Sequence, residues 1–454
     1  MNGFGPGARV HIVGVGGAGM SGLALLLREM GCVVSGSDSI DSPVLNHLRA
    51  AGVDVAVGHD PLHGVDSQIV LWSPAVSEDN AELAAARDRG ATLLTRARVL
   101  ERLASLQLVI GLTGTHGKTT ATSMMVHVMR AAGRDDSRLL GAPVTAIGAN
   151  GHWGSGSIIL EVDESYGTFS LLAPHALGLL NVEADHLDHY GTIAALEEAF
   201  ARLLMRTSGP VVAWGDDEGA RRVSVASGRP VIFAGSTRQC SWIVGDVDLS
   251  RRGCGFTLTG PDEEFELALR VTGEHNVANA SVVAVLARSL GVEVKAVADG
   301  LAAFEGAPRR FQFLGQWRGV DVYEDYAHLP GEIAATLAAT RSIGYQRVTA
   351  VFQPHRVTRT LNLATQFADA FHDATTVIIT DIYPAGEANP TGVTGEVIAT
   401  RVRLSGPGTS CAYGATFAEV LELLEVAHDR SDVIVLLGAG DIAEVASKLS
   451  GGLR

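Results

Sequence analysis

"GLTGTHGKTTATS", residues 111–123, places a glycine turn, a lysine and paired threonines between two apolar stretches. The preceding "QLVIGL" reads as a strand and the following "TTATSMMVHVMRAAG" as a helix, so the glycines sit where a strand passes into a helix N-terminus. That place suits phosphate. Successive backbone N–H groups point inward, a lysine neutralises the outer phosphates and a hydroxyl holds Mg²⁺. A lysine there is unfavourable without an anion. The spacing departs by one residue from the common G-x-x-x-x-G-K-[ST] pattern, because Leu112 stands where the opening glycine belongs. Gly114, Thr115, His116, Gly117, Lys118, Thr119 and Thr120 are nevertheless expected to cradle a nucleotide phosphate.

Outward from this stretch, strand and helix signals alternate. "ARVHIVGV" precedes "MSGLALLLREMG", "CVVSGSD" precedes "PVLNHLRAAG" and "SQIVLWS" precedes "NAELAAARDRG". The alternation implies parallel sheets covered by helices, an α/β architecture. It restarts at "LVIGLTG" and again at "GVDVYEDYAHLPGEIAATLAATR", which predicts three domains: 1–104, 105–314 and 315–454. The first and last are expected to be Rossmann-like, and the central one a P-loop ATPase-type parallel sheet.

A second glycine-rich turn, "GVGGAGMSG", begins at Gly14. Gly14, Gly16 and Gly19 follow the strand "RVHIV", and Asp38 ends the next strand. Glycines there allow a tight turn, the helix N-terminus attracts a diphosphate, and the acid accepts from a ribose hydroxyl. A nicotinamide enzyme reads the same way. The motif specifies a diphosphate more firmly than it specifies which one.

Composition narrows the field. The 454 residues, 46% hydrophobic with 53 glycines, are too many for one core. A net charge of −15 opposes a general nucleic-acid surface, which needs a basic face. Four cysteines lie far apart with no C-x-x-C pair, which suits a reducing cytosol rather than a disulfide or zinc framework. The N-terminus lacks a signal-peptide pattern, and no apolar run approaches the ~20 residues that span a bilayer. A cytoplasmic protein without membrane or nucleic-acid partners is expected, as monomer or homodimer.

Further motifs occur in order: "EVDES" at 161–165, "NVEADHLDHYG" at 181–191, "GEHNVANA" at 273–280, "PRRFQFLG" at 308–315, "EDYAHLP" at 324–330, "FQPHRVTRT" at 352–360 and "DIYPAGE" at 381–387. With "GTHGKTT" they resemble the motifs of the Mur ligases. The resemblance covers all three predicted domains. It implies a shortened phosphate loop, G-x-x-G-K-[ST], in which Leu112 lies outside the motif. It also implies ATP with Mg²⁺ as cofactor, and UDP-sugar rather than NAD on the first loop, at Gly14, Gly16, Gly17, Ala18, Gly19, Met20, Ser21 and Asp38, with Ser73 beside it.

By the same resemblance, Thr119 and Glu161 hold the Mg²⁺ that travels with ATP, and Glu161 with His186 a second one. Asn276 and Asn279 share a helix face suited to nucleotide contact. Arg310, His328, His355, Arg356 and Arg359 supply positive charge for a transferring phosphoryl group and two carboxylates. Asp325 and Tyr326 end a strand, where the aspartate can orient or accept from an incoming amine. Lys118, Glu161, His186, Arg310, Asp325, His328 and Arg356 are the expected catalytic set; Tyr326, His355 and Arg359 are expected to bind substrate.

The implied reaction passes the γ-phosphoryl of ATP to the lactyl carboxylate of UDP-N-acetylmuramate, and L-alanine attacks the acyl phosphate. A ligase that attaches a whole tripeptide shares the loop and is the alternative within the family. Leu329 and Val357, beside the expected amino-acid pocket, depart from the residues common in relatives.

Overall fold

The computed structural model describes residues 3–73, 75–141, 148–164, 169–184, 187–390, 392–405 and 409–450. Among the described residues, over which strands are counted, three sheets carry the fold. The first contains five parallel strands in the spatial order third, second, first, fourth, fifth, counted along the chain. The strand Arg9–Val13 is central, with Val33–Asp38 on one side and Ile69–Trp72 on the other. The crevice between the first and fourth strands is where strand order reverses, and parallel α/β sheets bind ligands at that point.

The second sheet has ten strands. Its parallel centre places Val109–Thr113 between Ala176–Leu179 and Ile158–Glu161, with Ser137–Leu139 beyond the latter. Every residue of Val109–Thr113 is buried, as a strand covered on both faces requires. The third sheet has six strands, five of them parallel, opened by an antiparallel pair of Gln312–Trp317 with Val320–Asp325.

The chain separates into two compact units. One comprises Met1–Asp248, Cys254–Arg270 and Glu274–Ala307, and the other Leu249–Gly253, Val271–Gly273 and Pro308–Arg454. Thus the first two sheets share a unit. The helix Ala18–Glu29 packs directly on Ser137–Leu139 and Gly151–His152 of the second sheet. Gly22 permits this: a β-carbon there would lie 2.7 Å from Leu139 Cδ1. The division expected after residue 314 falls inside the strand Gln312–Trp317, whereas the units part after Ala307. The intervening chain carries positive φ at Arg309 and Phe311, a local geometry that hydrophobic periodicity does not report.

Candidate active site

The phosphate loop leaves the C-terminal end of Val109–Thr113 and enters the helix Lys118–Ala131. Gly117 is its N-cap at φ +84°, a left-handed conformation that glycine adopts without strain. A β-carbon there would also lie 2.8 Å from Asn279 Oδ1, so the glycine admits the asparagine amide to the loop. A β-carbon at Gly114, whose φ is +143°, would lie 2.9 Å from the Asn181 carbonyl oxygen. Asn181 fixes the loop from the end of the neighbouring strand: its Oδ1 accepts from His116 N at 2.7 Å, and its carbonyl accepts from Thr115 N at 3.1 Å. The first-turn amides, which include Lys118, Thr119 and Thr120, have no intrahelical acceptor, the arrangement at a helix N-terminus that favours an anion.

Lys118 Nζ donates to the carbonyls of Gly114 and Thr115 at 2.7 and 3.1 Å and to both oxygens of Glu164 at 3.0 and 2.9 Å. Glu164 is fully buried, and burial raises its pKa against the opposing pull of Lys118. Thr119 Oγ1 donates to Glu161 Oε2 at 3.2 Å, while Glu161 Oε1 accepts from Gly141 N at 2.6 Å. Burial pushes the Glu161 carboxyl up, with Gly141, Arg96, Thr119 and Lys118 each drawing it back. Glu161 pairs in register with Leu112, so the carboxylate and the phosphate loop occupy one sheet edge. Asn276 and Asn279 are buried on the helix Glu274–Ser289, which packs against the loop's own helix. His186 lies outside the described residues.

In the first loop Gly14 has φ +78°, and a β-carbon would lie 3.0 Å from that of Ser73. Gly16 N donates to Asp38 Oδ2 at 2.9 Å. The Asp38 carboxylate thus braces the turn itself. Gly17 is exposed and begins the helix in extended conformation. Met20 and Ser21 are buried; their amides return to the Gly17 carbonyl, and Asn150 Nδ2 donates to Ser21 Oγ at 3.2 Å. Ala18 and Gly19 remain as the first-turn amides suited to an anion.

In the second unit, both Asp325 oxygens are occupied: Phe311 N donates to Oδ2 at 2.6 Å and Ala327 N to Oδ1 at 2.7 Å. Burial holds this carboxyl up at about 6. Arg310 lies over the Tyr326 ring, 5.3 Å from its centroid. From there rings follow one another: Tyr326 to His328 at 5.4 Å, His328 to His355 at 5.9 Å and His355 to Tyr383 at 5.5 Å. Arg359 Nη1 lies 3.4 Å from His355 Nδ1. Burial, then the charges of His328 and two arginines, press His355 down to about 4; burial also lowers His328. Burial thus favours the neutral form of both imidazoles. Arg356, at φ +71°, starts the helix Val357–Asp369 with Glu387 4.0 Å away.

Sequence reasoning did not single out Asn181, Glu164 or Arg96. A polar residue directly after an apolar strand, as in "ALGLLN", is the signal that marks Asn181.

Three family models match the chain: "Mur ligase family, catalytic domain" over residues 9–107, "Mur ligase middle domain" over 112–287 and "Mur ligase, glutamate ligase domain" over 309–440. A UDP-N-acetylmuramate–L-alanine ligase of Acidothermus cellulolyticus is 40% identical over 98% of this chain and 95% of its own. Its counterpart in Renibacterium salmoninarum is 37% identical over 97% and 95%. Among solved structures, UDP-N-acetylmuramate-alanine ligase of Thermotoga maritima superposes with a TM-score of 0.84 at 27% identity, covering 98% of both chains. No helix among the described residues is long and apolar enough to cross a membrane.

Proposed function

The chain belongs to the Mur ligase family, and from that premise we propose that it joins L-alanine to the lactyl carboxylate of UDP-N-acetylmuramate in peptidoglycan synthesis, converting ATP to ADP and phosphate. The observation that carries this reading is the extent of the likeness: relatives named for that reaction match along essentially the whole chain. In the proposed division of labour, residues 1–104 bind the UDP-sugar, 105–314 bind ATP and 315–454 bind the amino acid.

A carboxylate is a poor electrophile, so the γ-phosphoryl first passes to the lactyl oxygen, giving an acyl phosphate and ADP. The amine of L-alanine then attacks the acyl carbon, an amide forms and phosphate leaves. The first-turn amides and Lys118 hold the ATP phosphates, with Glu164 and two carbonyls keeping the ammonium at the loop mouth. The Thr119 hydroxyl and the Glu161 carboxylate, in contact on one sheet edge, are hard oxygen donors that fit Mg²⁺. Bound there, the ion supplies positive charge to the phosphates. His186 is assigned to a second ion by resemblance alone.

In the second unit, His328 and His355, whose neutral forms burial favours, suit an amine that must attack unprotonated, while Arg310, Arg356 and Arg359 suit carboxylate and phosphoryl oxygens. Asp325 is a positioning residue, because its oxygens hold the chain beside Arg310.

Phosphate release measured with ATP, UDP-N-acetylmuramate and, in parallel, L-alanine, glycine, L-serine or the stem tripeptide tests the reading. L-Alanine is expected to give the highest kcat/KM. Turnover with the tripeptide alone would assign the recycling reaction, and turnover with none would remove the ligase assignment.

A further inference from the structure

The helix Arg96–Ala104 carries three arginines. Arg98 pairs with Glu101 at 2.8 Å, and Arg102 lies over the Phe4 ring. Arg96 differs from both. Its Nε–H is buried and has no hydrogen-bond acceptor among the described residues. A buried donor without an acceptor is unfavourable, so a guanidinium held this way is prepared for an anion.

Its position identifies the anion. In the first sheet Val13, Trp72 and Thr95 lie side by side at the strand ends, so Gly14, Ser73 and Arg96 all begin at one edge. A β-carbon at Gly19 would lie 2.9 Å from Arg96 Nε and 3.1 Å from Cζ. The glycine therefore lets the guanidinium rest against Gly19, in the first turn of the helix Ala18–Glu29. That same helix packs against Ser137–Leu139, whose neighbour in the sheet ends at Glu161. The charge of Arg96 is felt at Glu161.

We propose that Arg96 is a substrate-binding residue whose guanidinium takes a diphosphate oxygen of the nucleotide-sugar on the first glycine loop, tethering that substrate beside the phosphoryl-transfer edge. The proposal rests on the reading that this loop binds the UDP-sugar. It explains why position 19 is glycine: the space serves an arginine from another element as well as the ligand.

The test is calorimetric binding of UDP-N-acetylmuramate, UDP and UMP to the full chain, with steady-state KM values alongside. Arg96→Ala is expected to raise the Kd for UDP-N-acetylmuramate about 10–100-fold, the scale of one lost charge-assisted pair. Affinity for UMP should fall less than for UDP, and the KM values for ATP and L-alanine should stay within about twofold. Arg96→Lys should recover only part of the loss, because an ammonium lacks the planar fork. Should Arg96→Ala fail to fold, Gly19→Ala keeps the charge but crowds the guanidinium, and is expected to weaken UDP-sugar binding severalfold.

Unchanged UDP-sugar affinity in these variants, or a fall in kcat alone, would overturn the proposal and leave Arg96 as a neutraliser of Glu161. Gly17→Val separates the two levels. If it weakens UDP-sugar binding while the Arg96 variants do not, only the arginine is wrong; if it too has no effect, the loop assignment has failed.

Discussion

The two glycine loops of the first unit share one backbone device, a buried strand turning into a helix N-terminus, yet they are finished by different side chains. At the second loop the glycines make room for Asn181 and Asn279, and Lys118 stands at the mouth against a buried glutamate. At the first loop they make room for Asp38 and Arg96. A glycine loop of this kind offers donors to any phosphate. Its identity comes from residues that reach it from other strands and helices, so two similar turns are expected to hold different ligands at neighbouring sheet edges.

The contrast can be broken most severely at Lys118. Lys118→Ala is expected to lower kcat about 10³-fold, as loss of a principal charge at a transferring phosphoryl group does, while leaving the KM for UDP-N-acetylmuramate within about twofold. Unchanged ATP hydrolysis in that variant would remove the loop from catalysis. Thr119→Val keeps the shape but removes the hydroxyl beside Glu161; a rise of about tenfold in the Mg²⁺ concentration for half-maximal rate is expected, read by titrating the metal at fixed ATP. Gly17→Val reverses the pattern. A β-carbon there meets Gly14 O at 3.4 Å, an ordinary contact, so the expected effect is a roughly tenfold higher KM for the UDP-sugar and an unchanged KM for ATP.

A smaller effect distinguishes the sheets beneath the loops. Under the first loop, buried Glu82 accepts from His11 at 2.7 Å, His59 at 2.8 Å and Ser37 at 2.8 Å. Although burial opposes it, these bonds hold the carboxyl down at about 2. Its folded pKa lies below the ordinary 4.5, so the ionised carboxylate stabilises the fold above that pH, and the contribution fades as pH falls towards about 2. Glu82→Gln should cost about 1–3 kcal/mol in urea denaturation at pH 7, with the difference from wild type shrinking in acid. An equal difference at pH 7 and pH 3 would contradict this assignment.

The architecture was legible because strands covered on both faces read as continuous apolar runs and their helices keep a 3.6-residue period. The phosphate loop was legible despite Leu112, since Gly114, Gly117, Lys118 and Thr119 supply turn, charge and hydroxyl within one short stretch. What came from elsewhere in the chain was not. Arg96 stands in "TRARVL", where it reads as one of several helix-surface charges, and only the space at Gly19 reveals its target. Asp38 was identified correctly as a strand-end acid, but the bond to Gly16 N is a tertiary fact. His11 hides inside an apolar strand, and its partner Glu82 is 71 residues away.

The division of labour between the loops is tested most directly by titrating Lys118→Ala and Gly17→Val with UDP-N-acetylmuramate and with Mg²⁺–ATP in the calorimeter. The structure predicts a crossed result: Lys118→Ala loses ATP affinity and keeps the UDP-sugar, while Gly17→Val does the reverse. If both substitutions weaken the same ligand, or neither weakens any, the two loops do not divide the substrates in this way.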